Sequence, residues 1–175
     1  MDKLILYIAC SLDGYIADAT CGIGFLEETP GPVPDTGFEQ FYDSVGSLIM
    51  GNTTYRQVGE LADTWPYEGK PCYVYSRRET GQNGQVAFTS LSPAALLEEL
   101  RSEHGGAIWL VGGGEIVQLF LAENLIDEYY IYLMPDLLGD GLPLFPAGFP
   151  KTKLSLQSVQ AIGQIVEVVY HKKTK

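Results

Sequence analysis

Gly112, Gly113 and Gly114 follow the apolar run Ile108-Trp109-Leu110-Val111 and precede Glu115 and an amphipathic pattern. A strand that runs through bare backbone into a helix leaves helix N–H groups unpaired, and such a place favours an anion. A second junction of this kind, Gly51-Asn52-Thr53-Thr54, follows Leu48-Ile49-Met50. At a third, Ser11-Leu12-Asp13-Gly14, an apolar run ends in a hydroxyl and a carboxylate, which can bind a substrate N–H or hydroxyl or move a proton. At a fourth, Ser76-Arg77-Arg78, the guanidinium groups suit bidentate contact with phosphate. Together these residues could line a single cleft of glycine, hydroxyl and guanidinium groups able to hold a phosphorylated ligand.

Each group has a plainer reading. Thr53 and Thr54 can cap a helix. Asp13 can close its own turn. Arg77 and Arg78 can be a solvated pair at a strand end. Glu115 is an awkward neighbour for phosphate, but it favours a helix start by its charge. Asp35 reads as a loop or capping acid beside Thr36. Trp65 and Trp109 read as core or rim aromatics. His104 reads as a partner for a helix C-terminus, and His171 as a residue of a terminal strand.

The elements that must position these groups alternate. Residues 4–10, 48–50, 72–75 and 108–111 are short apolar runs suited to buried strands. Phe38, Phe41, Tyr42 and Val45 recur at helical spacing, with Thr36 and Glu39 placed for a capping box. Helices are also expected over 54–60, from Ser92-Pro93 to Gly105, and over 115–122. Residues 28–37 read as a proline-rich surface loop and 79–85 as a turn-rich connection. Residues 127–134 are strand-like, and 154–160 with 164–171 form a hairpin pattern. The fold class is therefore α/β, with a mixed, mostly parallel sheet, helices on both faces and an antiparallel hairpin at the end. In such sheets ligands bind beyond the carboxyl ends of the strands, where all four junctions fall.

The 175 residues read as a single domain, 1–175. A net charge of −11 argues against nucleic acid as a partner. The three cysteines lack metal-ligand spacing, which points to free thiols in a reducing cytoplasm and to no metal. No apolar stretch approaches the roughly 20 residues of a membrane span.

In their order, these junctions resemble the dihydrofolate reductase superfamily. The chain is most similar to bacterial proteins like the C-terminal reductase domain of the bifunctional riboflavin-biosynthesis deaminase/reductase. The resemblance is carried by Ser11-Leu12-Asp13-Gly14-Tyr15-Ile16-Ala17, Met50-Gly51-Asn52-Thr53-Thr54-Tyr55, Val111-Gly112-Gly113-Gly114-Glu115 and residues 135–145. It implies a dihydrofolate-reductase-like fold, NADPH (or NADH) as cofactor, and a homodimer to which residues 127–134 and 137–145 contribute surface. It places Gly51, Asn52, Thr53, Thr54, Ser76 and Arg77 along the adenosine and phosphate end. Gly112, Gly113, Gly114 and Glu115 fall at the pyrophosphate, and Ala9 and Cys10 at the nicotinamide. Ser11 and Asp13 fall at the substrate, with Asp13, Asp35 or a water supplying the proton. The implied activity is NAD(P)H-dependent reduction of a small heterocyclic or carbonyl substrate. 5-Amino-6-(5-phosphoribosylamino)uracil reduction is its specific form. A nucleotide-binding module without turnover and a dihydrofolate reductase stay open as alternatives. The chain departs from riboflavin-pathway members at Tyr7 and Val111, where they carry lysine and glutamate, and from many superfamily members at Asn52, where they carry arginine.

Overall fold

The structure is a computed structural model that describes residues 2–27, 36–103 and 105–173. Asp35, His104 and most of the proline-rich loop lie outside the described residues. The chain runs β1 (Leu4–Ser11), β2 (Tyr15–Ala17), a 3-10 turn at Gly24–Leu26, α1 (Phe38–Ser44), β3 (Val45–Gly51) and α2 (Asn52–Leu61). It continues with β4 (Cys72–Tyr75), β5 (Gly81–Asn83), β6 (Val86–Thr89), α3 (Pro93–Glu103), β7 (Ala107–Gly112) and α4 (Gly114–Ala122). The last elements are β8 (Glu128–Met134), β9 (Leu142–Pro143), β10 (Leu154–Ile162) and β11 (Ile165–Lys172).

Nine strands form one sheet in the order β10-β11-β8-β1-β7-β3-β4-β6-β5. The neighbours from β8 through β6 are all parallel. β10 and β11 form the expected antiparallel hairpin, and β11 joins the sheet antiparallel to β8. The expected mixed, mostly parallel sheet is therefore observed. The parallel order β1-β7-β3-β4 sets the carboxyl ends of these strands, and so all four junctions, along one edge.

Alternation along β1 divides the core. Leu4, Leu6 and Cys10 pack with Leu96, Leu97 and Leu100 of α3 and with Ile116, Val117, Phe120 and Leu121 of α4. Burying each large apolar side chain contributes about 1.5–3 kcal/mol. Tyr7 and Ala9 point to the other face. There α1 and α2 cover Leu48, Met50 and Trp109 with Phe41, Tyr42 and Tyr55. Ser92 caps α3 as expected, its hydroxyl accepting from the Ala95 N–H at 3.3 Å.

Several local expectations are corrected. The α1 N-cap is Gly37 in the left-handed region (φ 69°), so Thr36 lies one residue outside the cap and the Thr36–Glu39 capping box does not form. α2 begins at Asn52, so Thr53 and Thr54 sit inside its first turn and do not cap it. The 79–85 connection contains β5, which pairs with β6, a strand without a strong sequence pattern. β8 lies inside the sheet. It is bonded on both sides, to β1 and β11, and most of its residues are buried.

Candidate functional site

The three consecutive glycines have three different reasons. Gly112 adopts φ +122°, a conformation open to glycine, and a Cβ there would come within 3.2 Å of Ile8 Cδ1. Gly114 lies so close to β9 that a Cβ would stand 2.4 Å from the Pro143 carbonyl oxygen. At Gly113 a Cβ would meet Ile16 Cδ1 and Thr54 Oγ1 at 3.6 Å each, which is ordinary contact. Crowding therefore explains Gly114 and backbone conformation explains Gly112, while the space at Gly113 is left for something else to approach the main chain.

These contacts also join the junctions. Thr54 in the first turn of α2 borders Gly113, and Gly51 is so close to α4 that its Cβ would stand 2.9 Å from Ile116 Cγ1. Gly51 is the N-cap of α2 and Gly113 that of α4. Among the described residues neither helix start has a side-chain cap bond. Two helix N-termini thus lie side by side with bare glycine caps, which concentrates positive partial charge. Asn52 Oδ1 is buried there without a hydrogen-bond partner among the described residues. Arg77, from the end of β4, reaches Glu115 at 3.6 Å, with both side chains exposed. Ser76 Oγ accepts from the N–H groups of Arg78 at 3.2 Å and Glu79 at 2.9 Å, which turns the chain at that strand end. Arg56 of α2 pairs with Glu79.

The β1 junction is tied down. Ser11 is fully buried. Its hydroxyl donates to Asp13 Oδ1 at 2.6 Å and accepts from the Tyr15 N–H at 2.9 Å. Asp13 also accepts from the N–H groups of Leu138 at 3.2 Å and Gly139 at 2.7 Å. The Ser11 hydroxyl, followed by the Gly139 amide, holds the Asp13 carboxyl below its ordinary range. Both side chains therefore fasten the 135–145 loop to the end of β1. Leu144 N–H donates to the Gly14 carbonyl at 2.9 Å, and β2 pairs with β9, closing this loop over Gly114. Ala9 and Cys10 precede the junction in β1. Burial, with Asp13 nearby, pushes the Cys10 thiol up to about 11, so it stays neutral.

Sequence patterning missed the aromatic group on the Tyr7 face. Tyr7 stacks on Phe41 with centroids 4.3 Å apart and lies 4.8 Å from the Tyr132 ring. Trp109 stands edge-on to Phe38, Phe41 and Tyr7, and its Nε1–H donates to the Tyr7 carbonyl at 3.0 Å. The Tyr7 and Tyr132 hydroxyls converge on the Thr36 carbonyl at 3.3 and 3.1 Å. Glu167, 7% exposed, lies behind Tyr132. The only signal for this group was the density of aromatics in 38–42 and 129–132. Among the described residues there is no group of three or more metal-ligating side chains. Nor is any described helix long and apolar enough to cross a membrane.

Residues 2–168 match the family model described as the RibD C-terminal domain. The chain belongs to the RibD C-terminal domain family. A family relative, the uncharacterised protein YwjB of Bacillus subtilis (strain 168), is 39% identical over 169 residues, covering 96% of this chain and 97% of YwjB. A crystal structure of a candidate riboflavin biosynthesis protein from Shewanella sp. PV-4 is 32% identical, with a TM-score of 0.90 over 98% of this chain and 99% of that one. The deaminase/5-amino-6-(5-phosphoribosylamino)uracil reductase of Thermotoga maritima is 15% identical, with a TM-score of 0.73, and shares the fold over 98% of this chain and 57% of its own. The RibD C-terminal domains are a reductase family that typically uses NADPH, and the observed architecture is the dihydrofolate-reductase-like one the motifs resembled. The bare helix starts, the space at Gly113, the unpartnered Asn52 Oδ1 and the nearby Arg77 fit a dinucleotide carrying phosphates.

Proposed function

We propose that this RibD C-terminal domain family member is an NADPH-dependent reductase of a small heterocyclic or carbonyl substrate. The observation that carries the reading is the joining of the α2 and α4 starts through Gly51, Thr54 and Gly113 beside Arg77. Gly113 and Gly114 would take the pyrophosphate on bare backbone and helix dipoles. Asn52, Thr53, Thr54, Ser76 and Arg77 would take the adenosine end, with Arg77 available to a 2′-phosphate.

NADPH, when bound, supplies a hydride from its nicotinamide. The chain's part is to orient and to exclude water. Ala9 and Cys10 offer the β1 backbone as a floor. The Asp13 clamp on Leu138 and Gly139 holds the 135–145 loop against it. With Asp13 committed to three donors, we assign it to positioning, and the proton of the reduction to water admitted at the substrate side. The uracil derivative named for the Thermotoga protein is the reference substrate.

The test is direct. The protein is mixed with NADPH or NADH, its melting is followed, and nicotinamide absorbance is monitored with the reference substrate and related heterocycles. Stabilisation by NADPH with turnover supports the reading. Stabilisation without turnover across the panel indicates a binding module, and no stabilisation by either nucleotide overturns the reading.

A further inference from the structure

The elements around the β1 junction carry no lysine or arginine. Neither residues 4–55 nor residues 102–150 contain a lysine or arginine. These stretches supply β1, α1, β3, β7, α4, β8 and the loop that closes over Gly114. The basic residues fall elsewhere. Arg56, Arg77 and Arg78 lie at the α2 and β4 side. Lys3 pairs with Glu128 at the opposite end of β8, and Lys70 donates to the carbonyl of Val45, where β3 begins. Arg101 and Lys172 meet Asp127, just before β8. By the register of β10 and β11, Lys153, Lys172 and Lys173 lie at that same far end.

What those elements do carry is rings, hydroxyls and carboxylates. Tyr7 and Phe41 form the stacked pair, and Phe38, 38% exposed, brings the cluster to the surface. Tyr7 and Tyr132 bring their hydroxyls to one point at the Thr36 carbonyl. Asp13, Asp136 and Asp140 lie around the β1 junction and its loop. A phosphate dianion placed here would meet carboxylates with no guanidinium or ammonium to offset them, whereas a flat uncharged ring gains stacking contact.

We propose that the substrate end of the cleft selects an uncharged planar heterocycle without a phosphate, held against the exposed Phe38 ring at the rim of the Tyr7, Phe41 and Trp109 cluster. The proposal rests on the reductase reading and narrows it to phosphate-free substrates. Phosphate recognition in this protein is confined to the cofactor end, at the α2, α4 and β4 junctions.

The experiment compares 5-amino-6-(5-phosphoribosylamino)uracil with its dephosphorylated counterpart on the full chain. Binding is read by quenching of Trp109 and Trp65 fluorescence, with and without NADP+, and NADPH stabilisation is measured in parallel. The dephosphorylated compound is expected to bind more tightly by at least about tenfold. Its affinity should hold steady between about 50 and 500 mM salt, because stacking is not screened. Equal or tighter binding of the phosphorylated compound overturns the proposal. So does failure of both compounds to bind while NADPH stabilises the protein. Absence of NADPH stabilisation with preferential binding of the dephosphorylated compound upholds the proposal and overturns the reductase reading instead.

Discussion

The Tyr132 hydroxyl lies 2.5 Å from Glu167 Oε2 and 3.1 Å from the carbonyl oxygen of Thr36. The β8–β11 register sets Tyr132 opposite Glu167, and Gln160 Nε2 donates to the other carboxyl oxygen at 3.0 Å. Burial, then the bond to Glu167, pushes the Tyr132 phenol far above its ordinary value, so it stays a hydroxyl at any working pH. Removing one member leaves a buried polar partner unpaired. Tyr132→Phe and Glu167→Leu are each expected to cost about 1–3 kcal/mol. The double variant should cost less than the sum, because the second change removes the stranded group. Urea denaturation of the four proteins checks this, and strict additivity would show that the pair does not act as a unit.

Gly113 and Gly114 should respond differently to alanine. Gly114→Ala forces a Cβ against the Pro143 carbonyl and is expected to cost about 1–3 kcal/mol. Gly113→Ala meets only ordinary contacts and should cost less than about 1 kcal/mol. In the proposed site, however, it should largely abolish stabilisation by NADPH. Melting curves with and without nucleotide separate the two effects.

The Arg77–Glu115 pair is exposed on both sides, so breaking it should leave the urea midpoint in place. If Arg77 serves the 2′-phosphate, Glu115→Gln releases it and tightens NADPH binding more than NADH binding. Arg77→Ala should weaken NADPH selectively. Titration of each variant with both nucleotides gives the ratio, and an unchanged ratio would remove Arg77 from the cofactor site.

Thiol reactivity follows burial. Cys10 and Cys72 are buried, with thiols pushed up to about 11 and about 12, while Cys21 is exposed. Iodoacetamide on the folded protein near pH 8 should label Cys21 alone, and labelling in urea should reach all three. Mass spectrometry reads the count.

Asp13 ties acid stability to the loop. Its folded-state carboxyl is held below the ordinary value, chiefly by the Ser11 hydroxyl. Its contribution is therefore present above the unfolded value of about 3.9 and is lost as pH falls through the folded one. Asp18, lowered by Thr20 and Gly22, acts in the same direction. Asp13→Asn should flatten the loss of stability below about pH 4 relative to the parent, as followed by denaturation at stepped pH. An unchanged acid slope would show that the Asp13 bonds do not persist in solution.

What could be read in the sequence was local. An apolar run meeting Gly112-Gly113-Gly114 and then a helical pattern specifies a strand, a bare turn and a helix, because dihedral preference and periodicity act over a few residues. Four such junctions, with a hairpin after them, sufficed for the parallel sheet and for the edge at which its strands end. The two misread helix starts, at Thr36 and Thr53-Thr54, show the limit even there. A side chain suited to a cap does not decide which residue becomes the cap, and here Gly37 and Gly51 took the place.

The tertiary structure decided the roles. Asp13 read either as a turn residue or as a substrate ligand, and only the fold brings to it the amides of Leu138 and Gly139, 125 and 126 residues away. Gly114 read as a phosphate glycine, and the structure adds a second reason for it, since a Cβ there would meet the Pro143 carbonyl. Tyr7, Tyr132 and Glu167 carried no joint signal, because strand register across β1, β8 and β11 makes them neighbours, and register is set by the whole buried face rather than by any short segment.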